Sequence, residues 1–248
     1  MPSYLISDLH LSPERPAIAA ALERFLTKIA FDAKTIYILG DFFDAWIGDD
    51  EDEAFYLEIQ TRLRAVVDRG VDVYFQHGNR DFLVAEAFAT ATGTKLLDEE
   101  TVVTLAGQRV LLMHGDSLCT DDQEYQQFRQ QVRSPAWQAQ ILQLPLAQRR
   151  MMAQQLRAQS SSMNAMKAED IMDVNAEAVA AALSRNDVKT LIHGHTHRPA
   201  IHRPACDSSN LPTASCRYVL GDWEQKGWYL KADNERLELV DFEIEIEM

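Results

Sequence analysis

Leu111-Leu112-Met113-His114-Gly115-Asp116 is an apolar run that ends in a histidine, a glycine and an aspartate. The design recurs at Tyr4-Leu5-Ile6-Ser7-Asp8-Leu9-His10 and at Tyr37-Ile38-Leu39-Gly40-Asp41. It recurs again at Val73-Tyr74-Phe75-Gln76-His77-Gly78-Asn79-Arg80-Asp81 and at Leu191-Ile192-His193-Gly194-His195-Thr196-His197. Five times a short apolar run reads as a buried strand, with a metal-capable side chain just past its C-terminal end. In an α/β sheet the C-terminal strand ends open onto one crevice, so these side chains are expected to meet.

The segments between the runs support that fold class. Residues 14–30 carry Ile18, Leu22, Phe25, Leu26 and Ile29 at helical spacing, with Pro16 in the first turn. Residues 53–69 and 82–91 also read as helices, and Gly70 as a cap. Strands are expected at 3–8, 35–41 and 71–77, so strand and helix alternate as in a parallel α/β core. Thr101–Leu105 and Val110–Met113 read as a hairpin around Gly107-Gln108, leading into His114. Residues 122–184 look almost wholly helical, with a break near Ser134-Pro135. After 189–193 the tail is strand-rich: Tyr218–Leu220, Trp228–Leu230 and Leu237–Ile246, the last alternating as if one face were solvated. Residues 203–216 read as a loop. A catalytic α/β core, 1–120 plus 187–248, is thus interrupted by a helical cap at 121–186.

Composition narrows the partners. The 248 residues, 46% hydrophobic, suffice for one large core. No apolar run approaches the ~18 residues of a membrane span, and the first run reads as a strand, not a signal peptide. Cys119, Cys206 and Cys216 suggest neither a disulfide framework nor a zinc knuckle, which fits a reducing cytosol. The net charge of −14 argues against nucleic acid. Yet from Tyr125 to Ala168 there is no acidic residue, while Arg129, Arg133, Arg149, Arg150, Arg157 and Lys167 give that segment +6 and leave −20 elsewhere. At the chain's average, about seven acids belong in such a window. Solvated basic faces explain this, and so does a surface that meets anionic lipid or an anionic substrate.

Asp8, His10, Asp41, Asn79, His114, His195 and His197 each lie just past an expected strand. Seven oxygen and imidazole donors can hold two divalent ions, and the absence of cysteine from the set favours Mn²⁺, Fe²⁺, Mg²⁺ or Zn²⁺. A carboxylate such as Asp41 can bridge ions ~3.5–4 Å apart. Each motif alone is weak, since a lone buried histidine is usually a satisfied core residue. Their joint occurrence in order is the signal. His77 and His193 fall inside the apolar runs and read as supporting residues. His202 is assigned nothing.

Asp-x-His, Gly-Asp, Gly-Asn-Arg-Asp, His-Gly-Asp and Gly-His-Thr-His, in this order, resemble the calcineurin-like metallophosphoesterase superfamily. The stretches 37–50, 77–83, 111–122, 171–175 and 191–200 more narrowly resemble its UDP-2,3-diacylglucosamine pyrophosphohydrolase family of the lipid A pathway, cap included. The resemblance implies an α/β/β/α fold, a β-sandwich flanked by helices, with a helical cap insertion. It implies a first metal on Asp8, His10, Asp41 and His197, a second on Asp41, Asn79, His114 and His195, and Mn²⁺ as the ion. It implies substrate contacts at Asn79, Arg80, Asp122, Ser160, Asn164, Lys167 and His195, with Asp41, Asn79, Arg80, His114 and His195 in catalysis. The implied partner is a lipid nucleotide, cleaved by water at the α-phosphorus into UMP and 2,3-diacylglucosamine 1-phosphate. The implied place is the cytoplasmic face of the inner membrane, bound peripherally, and a monomer is expected.

One departure from the wider superfamily has a physical reading. Many of its phosphatases carry a histidine where this chain has Arg80. Arginine cannot act as an acid near neutral pH but stabilises charge on phosphate oxygens. A phosphate leaving group, with a second pKa of about 6, departs without a proton. Arg80 therefore points to a phosphoanhydride; the plainer reading is a structural pair with Asp81. In the cap, Phe128, Trp137, Ile141, Leu142, Leu144, Leu146, Met151, Met152 and Leu156 either pack helices together or line an acyl-chain groove. Ser160, Asn164 and Lys167 share one helical face that could meet a head group. The competing readings are a hydrolase of soluble nucleotides or dinucleoside polyphosphates and a non-catalytic scaffold. The scaffold would be expected to lack ligands, and all seven are present.

Overall fold

The computed structural model describes residues 1–164, 173–203 and 215–245, without the side chains of 159–164. Among the described residues eleven strands form two sheets. The first sheet contains β1 (Ser3–Ile6), β2 (Thr35–Leu39), β3 (Asp72–Gln76) and β4 (Lys95–Leu97), all parallel. The second contains β5 (Thr101–Leu105), β6 (Gln108–Leu112), β7 (Thr190–His193), β8 (Ala200–His202) and β9 (Cys216–Val219) in the order β5-β6-β7-β9-β8. There β6, β7 and β9 run parallel and the two edges antiparallel. The antiparallel strands β10 (Lys226–Ala232) and β11 (Leu237–Glu243) complete the first sheet beside β1.

The strands are apolar on both faces because both faces are covered. Tyr4, Ile6, Ile36, Ile38, Val73 and Phe75 pack toward α1 (Pro16–Arg24), α2 (Ala54–Asp68) and α3 (Glu86–Thr92). The alternate residues Leu5, Tyr37 and Leu39 join Val110, Leu112 and Ile192 between the sheets. Leu111 and Leu191 point the other way, onto Val179, Ala182 and Leu183 of α7 (Ala176–Arg185). Period-two alternation thus builds four layers, α/β/β/α. Helix α7, expected within the cap, is instead the outer layer of the core, because its apolar stripe is what covers the second sheet.

In the chain between β6 and α7 come α4 (Gln123–Val132), α5 (Pro135–Leu142) and α6 (Leu146–Asn164). Asp122 caps α4 by accepting from Tyr125 N, and Ser134 caps α5 by accepting from Trp137 N, with Pro135 at N1. A further break at Gln143-Leu144-Pro145, not expected, separates α5 from α6. Three other details differ. β4 and β8 are three residues each, too short to show periodicity. The first helix passes into a wider turn over Phe25–Ile29, with Ala30 N donating to Phe25 O. The hairpin turns on Ala106-Gly107, both at positive φ, so β6 begins at Gln108.

Candidate metal centre

Parallel register aligns the strand ends. Ile6 lies beside Ile38, Leu39 beside Gln76, and Leu112 beside Ile192. After β1, β2 and β7 the chain passes through the left-handed region: φ is 57° at Asp8, 50° at His10, 50° at Asp41, 68° at His195 and 56° at His197. Non-glycine residues occupy that region at a cost, and such residues gather at functional sites. The loops also cross closely. A Cβ on Gly78 would overlap the backbone N and Oδ1 of Asp41, and one on Gly194 would overlap Asp8 and Ser7, so glycine is required at both.

The side chains converge. Asp41 is buried, with Oδ2 3.8 Å from His10 Nδ1 and Oδ1 3.6 Å from His114 Nε2, so its two oxygens face two histidines. Asp8 Oδ1 lies 3.5 Å from His197 Nε2, and His197 Nε2 lies 3.2 Å from His10 Nε2. Asn79 Oδ1 receives two imidazole nitrogens, His195 Nδ1 at 2.8 Å and His114 Nε2 at 3.0 Å. Two ligand groups result, Asp8 with His10 and His197, and Asp8 with Asp41 and His114. All seven expected ligands thus lie in one cluster. Asp8 Oδ1 and His10 Nδ1 are buried without a hydrogen-bond partner, which is costly unless a cation completes them. Facing imidazole nitrogens and buried carboxylates, without thiolate, fit hard or borderline divalent ions.

The surrounding contacts orient the set. His114 Nδ1 donates to Leu39 O at 2.8 Å, and Ser7 Oγ and His195 N donate to Asp8 Oδ2. Asp222 Oδ2 lies 2.9 Å from His197 Nδ1. Burial disfavours charge on His197, but Asp222 and Asp8 prevail and hold its pKa at about 10. His193 is fully buried, beside Gly194 O and the Arg217 guanidinium, and burial pushes it down to about 3. His77 Nε2 lies 2.7 Å from Val84 O. Asp222 escaped sequence reading, although Gly221-Asp222 follows the apolar Tyr218–Leu220 as Gly40-Asp41 follows its strand.

Arg80 does not repeat the plain reading. It pairs with Asp41 through Nε at 3.3 Å and with Asp44 through Nη1 at 2.7 Å. Asp81 instead accepts from Phe42 N and Gly78 N, and burial followed by Asp41 pushes its pKa up to about 6. The acid-free segment also has an internal explanation. Arg129 and Arg133 bind the buried Asp116, Arg149 binds Asp50 and Ile47 O, Arg150 binds Glu51 and Asp52, and Arg157 binds Asp44. The basic face expected to meet anionic lipid is, for these five arginines, turned to the chain's own carboxylates. Lys167 lies outside the described residues, as do the side chains of Ser160 and Asn164. Asp122 is buried at the start of α4.

A cavity of about 320 Å³ begins at Asn79 and Arg80 and continues between α4, α5 and α6. Phe128, Val132, Trp137, Ile141, Met152 and Leu156 form its apolar part. Among the described residues no helix is long and apolar enough to cross a membrane.

A two-sheet α/β/β/α core with histidines, aspartates and an asparagine gathered at its strand ends defines a metal-dependent phosphoesterase. The chain belongs to the calcineurin-like phosphoesterase family, whose model matches residues 1–199. Within that class it is 47% identical to the UDP-2,3-diacylglucosamine hydrolase of Serratia proteamaculans over 98% of this chain and 99% of that one. It is 49% identical to the same-named protein of Chromohalobacter salexigens over 95% and 94%. A solved archaeal phosphodiesterase, 12% identical, aligns over 98% of this chain and 100% of its own with a TM-score of 0.50, a likeness of fold.

Proposed function

We propose that the protein hydrolyses the diphosphate of UDP-2,3-diacylglucosamine, water attacking the α-phosphorus to give UMP and 2,3-diacylglucosamine 1-phosphate. One observation carries the reading: a single cavity joins the polar cluster at Asn79 and Arg80 to an apolar channel walled by α4–α6. A lipid nucleotide needs that combination, and a soluble nucleotide does not. The helices α4–α6 act as the cap, inserted between the two parts of the core.

Asp8, His10, Asp41 and His197 would hold one divalent ion and Asp41, Asn79, His114 and His195 a second, both Mn²⁺. When bound, the ions supply Lewis acidity to water and to phosphoryl oxygens. The chain's own groups do the rest. Arg80 sits at the cavity's polar end with its guanidinium toward the cluster, where it meets the negative charge of the diphosphate. It holds its proton, so the glucosamine 1-phosphate leaves as an anion. His195 and Asn79 orient oxygens of the attacked phosphate, and Asp122, Ser160, Asn164 and Lys167 contact the sugar. The cavity's apolar wall receives acyl chain and excludes water from the polar end.

The partly exposed Phe128, Leu142, Met151 and Leu156 of α4–α6 offer an apolar face for peripheral contact with the cytoplasmic side of the inner membrane, and the protein works as a monomer. The deciding experiment incubates the protein and Mn²⁺ with UDP-2,3-diacylglucosamine in detergent micelles in ¹⁸O-water. Label in UMP is the expected result. Label in the lipid phosphate would reject attack at the α-phosphorus. Faster turnover of dinucleoside polyphosphates than of the diacylated substrate would reject the substrate class.

A further inference from the structure

His195 is fixed differently from His114 and His197. His114 is anchored through Nδ1 by a backbone carbonyl, and His197 through Nδ1 by Asp222. His195 Nδ1 instead lies on Asn79 Oδ1, itself a group of the site. Ring packing adds to that contact. His114 lies edge-on to it, with centroids 5.1 Å apart and planes at 68°. Tyr125 lies nearly parallel to it, at 5.9 Å and 29°. Edge-on and offset aromatic pairs at such distances attract beyond the burial of their surfaces.

Tyr125 belongs to α4, not to the core, and it is pinned from its far end. Its hydroxyl donates to Asp116 Oδ2 at 2.8 Å. The same oxygen accepts from Arg129 Nε at 2.8 Å and Arg133 Nη2 at 3.3 Å, both also on or at the end of α4. Asp116 stands two residues after His114 and is buried. Helix α4 is therefore seated on a carboxylate that follows one ligand of the cluster, and by seating it presses an aromatic ring against another. Tyr125 also lines the cavity, so the ring that packs on His195 is part of the wall of the channel described above.

We infer that Tyr125 is a positioning residue: its ring sets the plane of the His195 imidazole, so that docking of α4 on Asp116 and assembly of the reacting centre are one event. This rests on the placement of His195 in the reacting centre proposed above. It adds a requirement on the cap, which must support chemistry as well as select the lipid.

Two variants and one spectrum test it. Y125F keeps the ring and loses the hydroxyl; Y125L loses both. With Mn²⁺ and the diacylated substrate, Y125F should keep kcat within about threefold, because the ring remains. Y125L should lose about 10–100-fold in kcat, the usual cost of removing a residue that orients a ligand, with KM little changed. Its Mn²⁺ affinity, measured by calorimetry, should fall with it. A wild-type kcat in Y125L overturns the inference. So do equal losses in both variants, which would move the role to the hydroxyl, and a raised KM at unchanged kcat, which would make Tyr125 a lipid contact alone. In selectively labelled wild-type protein, a nuclear Overhauser contact between the Tyr125 and His195 rings is expected, and its absence overturns the inference whatever the substrate proves to be. If Y125L does not fold, a missing ring contact in that spectrum or a large kcat loss in Y125F still overturns the inference.

Discussion

Asp41 leaves β2 with φ at 50° and turns one oxygen toward His10 and the other toward His114. Asp41→Ala or His114→Ala should therefore lose bound divalent metal and at least about 100-fold in turnover, since a catalytic ion is worth several kcal/mol. Metal content and rate are measured on one preparation, and near-normal turnover in a metal-depleted variant would sink the assignment. Gly78→Ala tests the crossing of loops instead. Its Cβ would overlap Asp41, so the variant should lose about 1–3 kcal/mol in denaturant titration and most of its activity, although Gly78 itself has no side chain to contribute. The clustering of these side chains was legible in sequence because each follows an apolar run. Asp222 was as legible in form and was passed over because its run, Tyr218–Leu220, is short. Tyr125 carried no signal, since what matters about it is which ring it lies against.

Helices α4–α6 were visible as a segment but not in their attachment. An acid-free stretch tells that its cations find no partners within it; where they point is a matter of tertiary structure. Arg149 is the clearest case. It is 3% exposed and donates to Asp50, Ile47 O and Leu144 O. Arg149→Met keeps much of the volume and leaves two carbonyls without their donor, at a cost of about 1–3 kcal/mol. Asp50 is mostly exposed and recovers water, so the loss should stay at the lower end. Hydrogen exchange should rise in α5 and α6 and remain unchanged in β1–β3; uniform destabilisation would contradict this. The same logic explains why α7 was misplaced. Its helical periodicity reads alike whether the apolar stripe covers a sheet or another helix, and only the contact with Leu111 and Leu191 distinguishes them. β4 and β8 were invisible because three residues give no period.

Across the whole molecule the two sheets are held by apolar layers, whereas α4–α6 meet the core through a set of ion pairs as well as apolar contacts. These respond differently to salt, which screens charges within roughly 10 Å at 0.1 M and 3 Å at 1 M. Raising salt over that range should loosen α5 and α6, whose partly exposed pairs at Arg150 and Arg157 are screened most, and leave the sheets protected. Hydrogen exchange at the two salt concentrations checks it, and equal protection would show that apolar contacts suffice. The four-layer plan was readable from alternation within each run, because strands apolar on both faces require covers on both sides. The pairing of distant segments was not. The carboxylates that receive the cap arginines lie at Asp44, Asp50, Glu51 and Asp52, with Asp116 and Glu99 beyond them. Residues 44–52 and Asp116 are thus the counter-ions of arginines far from them in the chain. A chimera that takes the helices alone into another phosphoesterase would carry guanidinium groups away from their counter-ions and should misassemble, while one that takes the acidic loop and Asp116 with them should yield soluble, folded protein. What passes intact from one scaffold to another is the lock together with its key.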